Sequence, residues 1–318
     1  MKVLRFYTNQ NGIALMVVLW VLVLLMALAT EFAFSMKGEV NTTRNFKEDA
    51  ETYHLAKAGI HLGMAEVLLP ASFHALHPDR GLVIGPPPPP TMKAQEEATE
   101  EAKNTYRPIE REGIPLGRGT ITYSLEDENS KIPINKATRN TLVKVLTIAG
   151  VENGEKRDII ADSILDWIDA NKNHRLNGAE NDFYQNLTPP YFAKSAPIEN
   201  LDELLKVRGI NEKILYGNDK QLGLNQFFTV YNLKSINAYT ASPEVLSVIF
   251  SESQVKLIIS NREGKGFHDN STSNYFRIRS TGRIEGSPTT HTINTVIQKI
   301  PGKDGPKLLT HYWNDNSF

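Results

Sequence analysis

The stretch that most constrains this chain is residues 13–30, IALMVVLWVLVLLMALAT, which carry no charge. At ~1.5 Å rise per residue, a helix of this length just crosses a hydrocarbon core of roughly 30 Å. Backbone polar groups in lipid must be satisfied within the segment, so the run is predicted to be helical. Before it lies MKVLRFYTNQNG, with Lys2 and Arg5 and no acid. The positive-inside rule keeps that segment in the cytoplasm and sends everything after Glu31 across the membrane. A single-pass protein with its bulk outside the cytoplasm is expected.

Composition narrows the remainder. Lys and Arg number 35 against 36 Asp and Glu, so net charge provides no general attraction to nucleic acid or anionic lipid. Cysteine is absent, which excludes disulfides, thiolate zinc sites and a cysteine nucleophile. The 8 histidines form no helical metal pair, and no serine sits in a nucleophile elbow, so no enzyme is expected. The acids Asp162 and Asp166 lie one helical turn apart, a spacing that reads as a solvated face.

Two readings fit the N-terminus. Ala27-Leu28-Ala29 has the small residues of a secretory signal cleavage site. Gly12, directly before the apolar run, resembles the end of a prepilin leader. That resemblance implies cleavage by prepilin peptidase between Gly12 and Ile13, with N-methylation of Ile13. Pilins usually carry Glu at the fifth residue after the cut, where it neutralises the N-terminal ammonium of a neighbouring subunit; this chain has Val17. An unpaired charge in an apolar filament core costs several kcal/mol, so a subunit with nothing above it is the one that can lack this carboxylate. Beyond the span, Phe46, Ala50, Tyr53, Ala56, Ile60, Met64, Val67 and Leu68 recur in steps of three and four until Pro70. One helix over 13–69 is therefore expected, following a leader at 1–12.

Residues 70–117, with the proline run 86–90 and the charged stretch 96–103, read as an exposed proline-rich loop. Strand alternation marks 118–134 and returns within 268–300, at 275–279 and 290–300. Between them, 135–267 is helical in pattern, and 301–318 reads as a C-terminal tail. The predicted class is α+β: a pilin-like long N-terminal helix on a small antiparallel sheet, with a large all-α insertion. Three segments of the insertion pair short helices like a helix-hairpin-helix: 201–215 across Gly209-Ile210-Asn211, one around Gly150, and one between Pro243 and Arg262. DNA-binding hairpins need glycines for close phosphate approach and nearby cations. Here Asn211 replaces the second glycine, the turn at 250–255 has none, and Glu199, Asp202, Glu203, Glu212 and Asp219 crowd the best candidate. Protein packing is the favoured role, and no nucleic-acid partner is expected.

The sharpest chemical pattern is DANKNHRLNGAE, residues 169–180. Oxygen-bearing side chains at its first, third, fifth, ninth and twelfth positions suit a calcium loop, since this cation takes six to eight oxygens. His174 stands where a sharp turn wants glycine, and only two acids lie inside, so a weak site is predicted. A polar helix-capping loop is the other reading of the same spacing. The flanks Asp166-Trp167-Ile168-Asp169 and 177–184, NGAENDFY, resemble the calcium-holding segment of K-type minor pseudopilins of type II secretion. The stretch 236–243 followed by Ile258, Ile259, Arg262, Gly264, Gly266 and Phe267 resembles the helical-hairpin repeats shared by K-type pseudopilins and DNA-binding competence proteins.

Across residues 12–300 the order of leader, span, strand, hairpins, loop and closing strands is similar to that family. The resemblance implies calcium held by the side chains of Asp169, Asn171, Glu180 and Asp182, with Asn173 as a further ligand and the Arg175 carbonyl as a donor. It implies an inner-membrane location with a periplasmic C-terminal domain. The implied partners are I- and J-type minor pseudopilins, prepilin peptidase and the inner-membrane secretion platform, and the implied role is to cap the pseudopilus tip and start its assembly. A minor pilin of a type IV pilus and an extracytoplasmic hairpin DNA-binding protein are the other functions considered.

Overall fold

The computed structural model describes residues 11–69, 73–77, 81–85, 109–152, 154–265 and 273–315. Helix α1 runs unbroken from Asn11 to Leu68. Its apolar window reaches a mean hydropathy of 2.9 with none of it buried, so the helix is long and apolar enough to cross a membrane. From Glu48 onward one face turns inward, burying Thr52, Leu55, Ala56, Ile60 and Val67. Of the residues spaced by three and four, Ala56, Ile60 and Val67 are buried here and Tyr53 and Met64 half-buried, while Phe46, Ala50 and Leu68 are exposed, because the head covers the helix only from about Glu48. Lys299 Nζ donates to the Val67 carbonyl at 2.7 Å, satisfying one of the acceptors that a helix end leaves open.

The inward face lies on an antiparallel five-stranded sheet. Its strands are β3 (Ile114–Leu116), β4 (Gly119–Asp127), β5 (Tyr275–Ile284), β6 (Thr290–Ile300) and β7 (Lys307–Asn314), in the order β7-β6-β5-β4-β3. Helix and sheet approach closely at glycines. A Cβ at Gly59 would meet Ser280 Oγ at 2.1 Å, and one at Gly282 would meet the Thr52 carbonyl oxygen at 2.3 Å. Ala56, Ile60, Val67, Leu125, Phe276, Ile278, Ile293 and Ile297 form the head core, each fully buried aliphatic or aromatic side chain contributing about 1.5–3 kcal/mol.

Two expected boundaries need correction. Residues 301–318 are more than a tail, because β7 pairs along β6 as a sheet edge, with a bulge between Val296 and Ile297. Residues 70–117 are more than a loop. The hairpin β1 (Phe73–His77) and β2 (Gly81–Gly85) lies there, with Leu82 buried in the head core, and β3 pairs with β4 through Ile114 opposite Ile121. The proline run, the stretch 96–103, residues 1–10, Gly266 and Phe267 lie outside the described residues. The helical insertion also carries two short pairings: Phe228–Thr229 pairs in parallel with Ile132–Pro133, just before the insertion, and Gly217–Asn218 pairs with Gln221–Leu222.

Helices dominate the insertion nonetheless: α2 (Arg139–Ile148), α3 (Glu155–Ile168), α4 (Glu212–Tyr216), α5 (Pro243–Ile249) and α6 (Glu252–Lys265), with a 3-10 segment at Leu201–Lys206. Side-chain N-caps explain where four of these begin: Thr138, Asn200, Asn211 and Ser242 each accept a backbone N–H. Leu142, Leu146, Ile160, Ile164, Tyr184, Leu204, Phe227 and Leu246 fill one core beneath them.

A buried polar clamp joins insertion to head. Asp127, at the end of β4, accepts from Asn129 N, Asn237 Nδ2, Thr240 Oγ1 and Ser273 Oγ. Glu128 accepts from Thr229 Oγ1 at 2.6 Å and from Arg277 Nε. Asn129 Oδ1 receives the N–H groups of Asn274 and Tyr275, where the chain returns to the sheet.

Candidate cation site in the helical insertion

Helix α3 packs Ile160, Ala161, Ile164 and Trp167 into the insertion core. Four-residue spacing puts Asp162 and Asp166 on a common stripe, and both are buried, so the solvated face expected for them is corrected. What buries them is the segment after the helix, which folds back across this stripe. Asp162 accepts from Arg139 Nε at 2.6 Å and from Asn177 Nδ2 at 3.3 Å. Asp166, 0% exposed, accepts from the Arg175 backbone N–H at 3.0 Å and from its guanidinium Nη1. Gly178 makes the crossing possible, because a Cβ there would lie 1.7 Å from Asp166 Oδ2.

Asp169 caps the end of α3. Its Oδ2 accepts from Arg175 Nη1 at 2.7 Å, while its Oδ1 is buried with no hydrogen-bond partner. Glu180 is 3% exposed, and neither of its carboxylate oxygens has a partner. Burial first, and then the negative charges of Asp166, Asp169 and Asp182, push the Glu180 carboxyl above its ordinary value. Three buried carboxylate oxygens without donors are an expensive arrangement unless a cation meets them. Their chemistry is that of a hard divalent ion.

The segment marked by the loop spacing holds these unpartnered oxygens, but not every residue in it takes the expected place. Asp169 and Glu180 lie at the site. Asn171 is exposed, and its Oδ1 accepts from the Asn173 backbone N–H at 2.8 Å, a local turn that uses both residues. Asp182 is exposed, contributing to Glu180 through its charge. The Arg175 carbonyl, expected as a donor, accepts from Gly178 N at 3.0 Å, and it is the guanidinium that enters the acidic cluster. Among the described residues, no three acids or histidines converge as a finished metal cage. Asp166 escapes a reading by spacing because a helical acid pair gives no sign of which face it occupies.

Below the loop, Trp167, Tyr184 and Tyr191 form an aromatic cluster, with Trp167 and Tyr184 centroids 5.2 Å apart. Arg208 donates to the Gly178 carbonyl at 3.1 Å and lies over the Phe183 ring at 4.6 Å. These contacts fix the base of the loop.

Residues 123–216, which hold most of β4, Asp127, Glu128 and Asn129 of the clamp and this loop, match the family described as type II secretion system (T2SS), protein K. The putative type II secretion system protein K of Escherichia coli (strain K12) is 26% identical over 220 residues, 65% of this chain and 60% of that protein. Over these residues the chain is similar to type II secretion system protein K. A second K-family relative, from Klebsiella pneumoniae, is 25% identical over 209 residues, 64% of this chain and 59% of that protein. The chain thus spans about 60% of the length of these curated relatives. The fold is also that of a K-family structure. The crystal structure of the GspK-GspI-GspJ complex from enterotoxigenic Escherichia coli matches at a TM-score of 0.50 and 17% identity, over 66% of this chain and 84% of that one.

Proposed function

We propose that this chain is a minor pseudopilin that caps the pseudopilus tip of a type II secretion system and starts its assembly with I- and J-type partners. The observation that carries this reading is α1 itself, one helix that begins as an unburied apolar span and ends as the spine of a folded head. Above the span Phe32, Phe34, Met36, Val40 and Phe46 remain exposed, Phe46 at 73%, and an apolar surface of this extent calls for partner helices. A signal peptide ending at Ala29 supplies no reason for the helix to run through that point into the head. The similar crystal structure is of a GspK-GspI-GspJ complex, which supports I- and J-type partners here. The basic segment before Gly12 remains cytoplasmic until prepilin peptidase removes it, and the head and insertion stand in the periplasm, beyond the inner-membrane secretion platform. Ile13 then becomes the methylated N-terminus.

The hairpins serve packing in this reading. Gly209, at φ +86°, turns the chain against α3 so closely that a Cβ would meet Ile160 Cγ1 at 2.9 Å, which leaves no room for a phosphate. Neither nucleic-acid binding nor catalysis is assigned to the chain. Purification of the tagged full-length chain from membranes that also hold the I- and J-type pseudopilins is expected to recover all three together, and Phe46→Glu to reduce that recovery at least tenfold. Recovery with type IV pilus subunits instead would move the chain to the other filament.

The acidic mouth holds calcium as a structural ion in this proposal, through Glu180, Asp169 and Asp166, with Asn171, Asn173 and Asp182 close along the loop. At a hundredfold excess over Kd, calcium stabilises a folded protein by about 2.7 kcal/mol. A rise in Tm on adding calcium is therefore expected for the wild type and not for Glu180→Gln. Equal rises in both proteins, or none in either, would remove calcium from this site.

A further inference from the structure

We propose that Arg175 is the cation site's built-in occupant, a tethered guanidinium that an incoming divalent ion must displace, so that this residue sets the site's affinity and its preference for divalent over monovalent ions. The inference rests on the cation-site reading above. Its basis is the unequal way in which the acids are satisfied. The Arg175 guanidinium reaches Asp166 Oδ1 and lies 2.7 Å from Asp169 Oδ2 through the same nitrogen, Nη1. Glu180 Oε1, Glu180 Oε2 and Asp169 Oδ1 stay buried and without partners. One monovalent head group bridges two carboxylates and leaves the third unmet. A compact divalent ion, which can draw oxygens from several directions at once, suits the buried oxygens that the guanidinium leaves over.

The local geometry separates the anchor from the occupant. The Arg175 backbone N–H holds Asp166 at 3.0 Å and its carbonyl holds Gly178 N at 3.0 Å, so the loop keeps its course when the side chain leaves. The Arg175 side chain is 38% exposed while Asp166 is fully buried, which places the guanidinium at the mouth with a path to solvent. Arg139 pairs with Asp158 and Asp162, and Arg208 is held by the Gly178 carbonyl and the Phe183 ring. A sodium or potassium ion brings no more charge than the guanidinium it would have to expel, together with its directed hydrogen bonds. A divalent ion brings twice that charge. The exchange therefore discriminates by valence.

Terbium(III) and calcium are the probes, and Trp167, buried beside Asp166, is positioned to sensitise terbium emission. Titrations of the full-length chain in detergent would compare wild type, Arg175→Met, Arg175→Lys and Glu180→Gln, with calcium competing. Arg175→Met is expected to bind terbium about tenfold more tightly than wild type, and to lose Tm without metal and regain it with calcium. Arg175→Lys, which restores a tethered cation, is expected to return the affinity to within about threefold of wild type. Metal binding by wild type with Arg175→Met equal or weaker would overturn the displacement proposal and leave the cation site standing. Identical behaviour of wild type and Glu180→Gln would overturn the site and this proposal with it. Should Arg175→Met not fold, Arg175→Gln, which keeps a neutral donor for Asp166, carries the same expectation of tighter binding.

Discussion

Replacing Gly12 with leucine is expected to leave residues 1–12 on the chain and to keep it out of any filament. The wild type recovered from its membrane should begin at Ile13 and carry one added methyl group, while Gly12→Leu should begin at Met1. Glycine permits a protease to approach the backbone closely, and a leucine side chain at the cut removes that access. The retained leader also keeps Lys2 and Arg5 on the chain, ahead of an apolar span whose next charge is Glu31. Packing that end into an apolar helix bundle would bury cations without partners, at a cost of several kcal/mol each. Intact mass and N-terminal sequencing decide the matter. A wild-type start at Thr30 would show an ordinary signal peptide, remove the anchor and take the filament reading with it.

Glu128→Gln is expected to destabilise the protein by about 3–5 kcal/mol near neutral pH, the usual result of breaking a buried ion pair from one side. Glu128 is 1% exposed and meets Arg277 through a hydrogen bond and Lys131 at 3.9 Å. Burial alone would raise its carboxyl. The charges of Lys131 and Arg277 and the hydrogen bonds from Thr229 and Arg277 outweigh burial, and the net shift is downward. The sign of the pH dependence follows: this stabilisation is present above the ordinary carboxylate value and is lost as pH falls through the depressed one. Urea unfolding at neutral and acid pH should therefore show wild type and variant converging in acid. Asp127, one residue earlier, is shifted upward, burial dominating over its four hydrogen bonds. Its contribution runs the other way, complete below the ordinary value and lost as pH rises through the raised one. Wild-type unfolding at neutral pH indistinguishable from that of Glu128→Gln would mean that Arg277 had found another partner, with Glu126 the nearest candidate across the strand pair.

Much of the architecture is legible in the sequence because its periods are strong. The second half of α1 repeats apolar residues every three or four positions, and β4 alternates buried and open residues along its length. β7 is hidden for physical reasons. It is an edge strand with Leu309 and Trp313 exposed, and the bulge that leaves His311 without a Cα partner interrupts the alternation that would have marked it. β1, β2 and β3 are too short, and too close to a proline-rich stretch, to stand out from a loop. At the candidate site the oxygen spacing of 169–180 singles out the loop that carries the unpartnered oxygens, since residue spacing is a local property. The burial of Asp166 and the placing of the Arg175 guanidinium depend on the loop crossing back over α3 at Gly178, a tertiary event for which spacing carries no signal.

The clamp has a consequence for how freely such a chain can vary. Asn129 and Tyr275 are 146 residues apart in sequence, yet they share a hydrogen bond where β4 hands the chain over and β5 takes it back. To the sheet, the whole insertion is a hairpin connection. The entropy of closing a flexible loop grows only logarithmically, about 0.6 kcal/mol for each doubling of length, and a connection that folds on its own core costs the sheet less. Natural variation can therefore lengthen, trim or reshape the helical part while α1 and the strands keep one register, so the bulk of the molecule and the spine it is built on can evolve as separate modules.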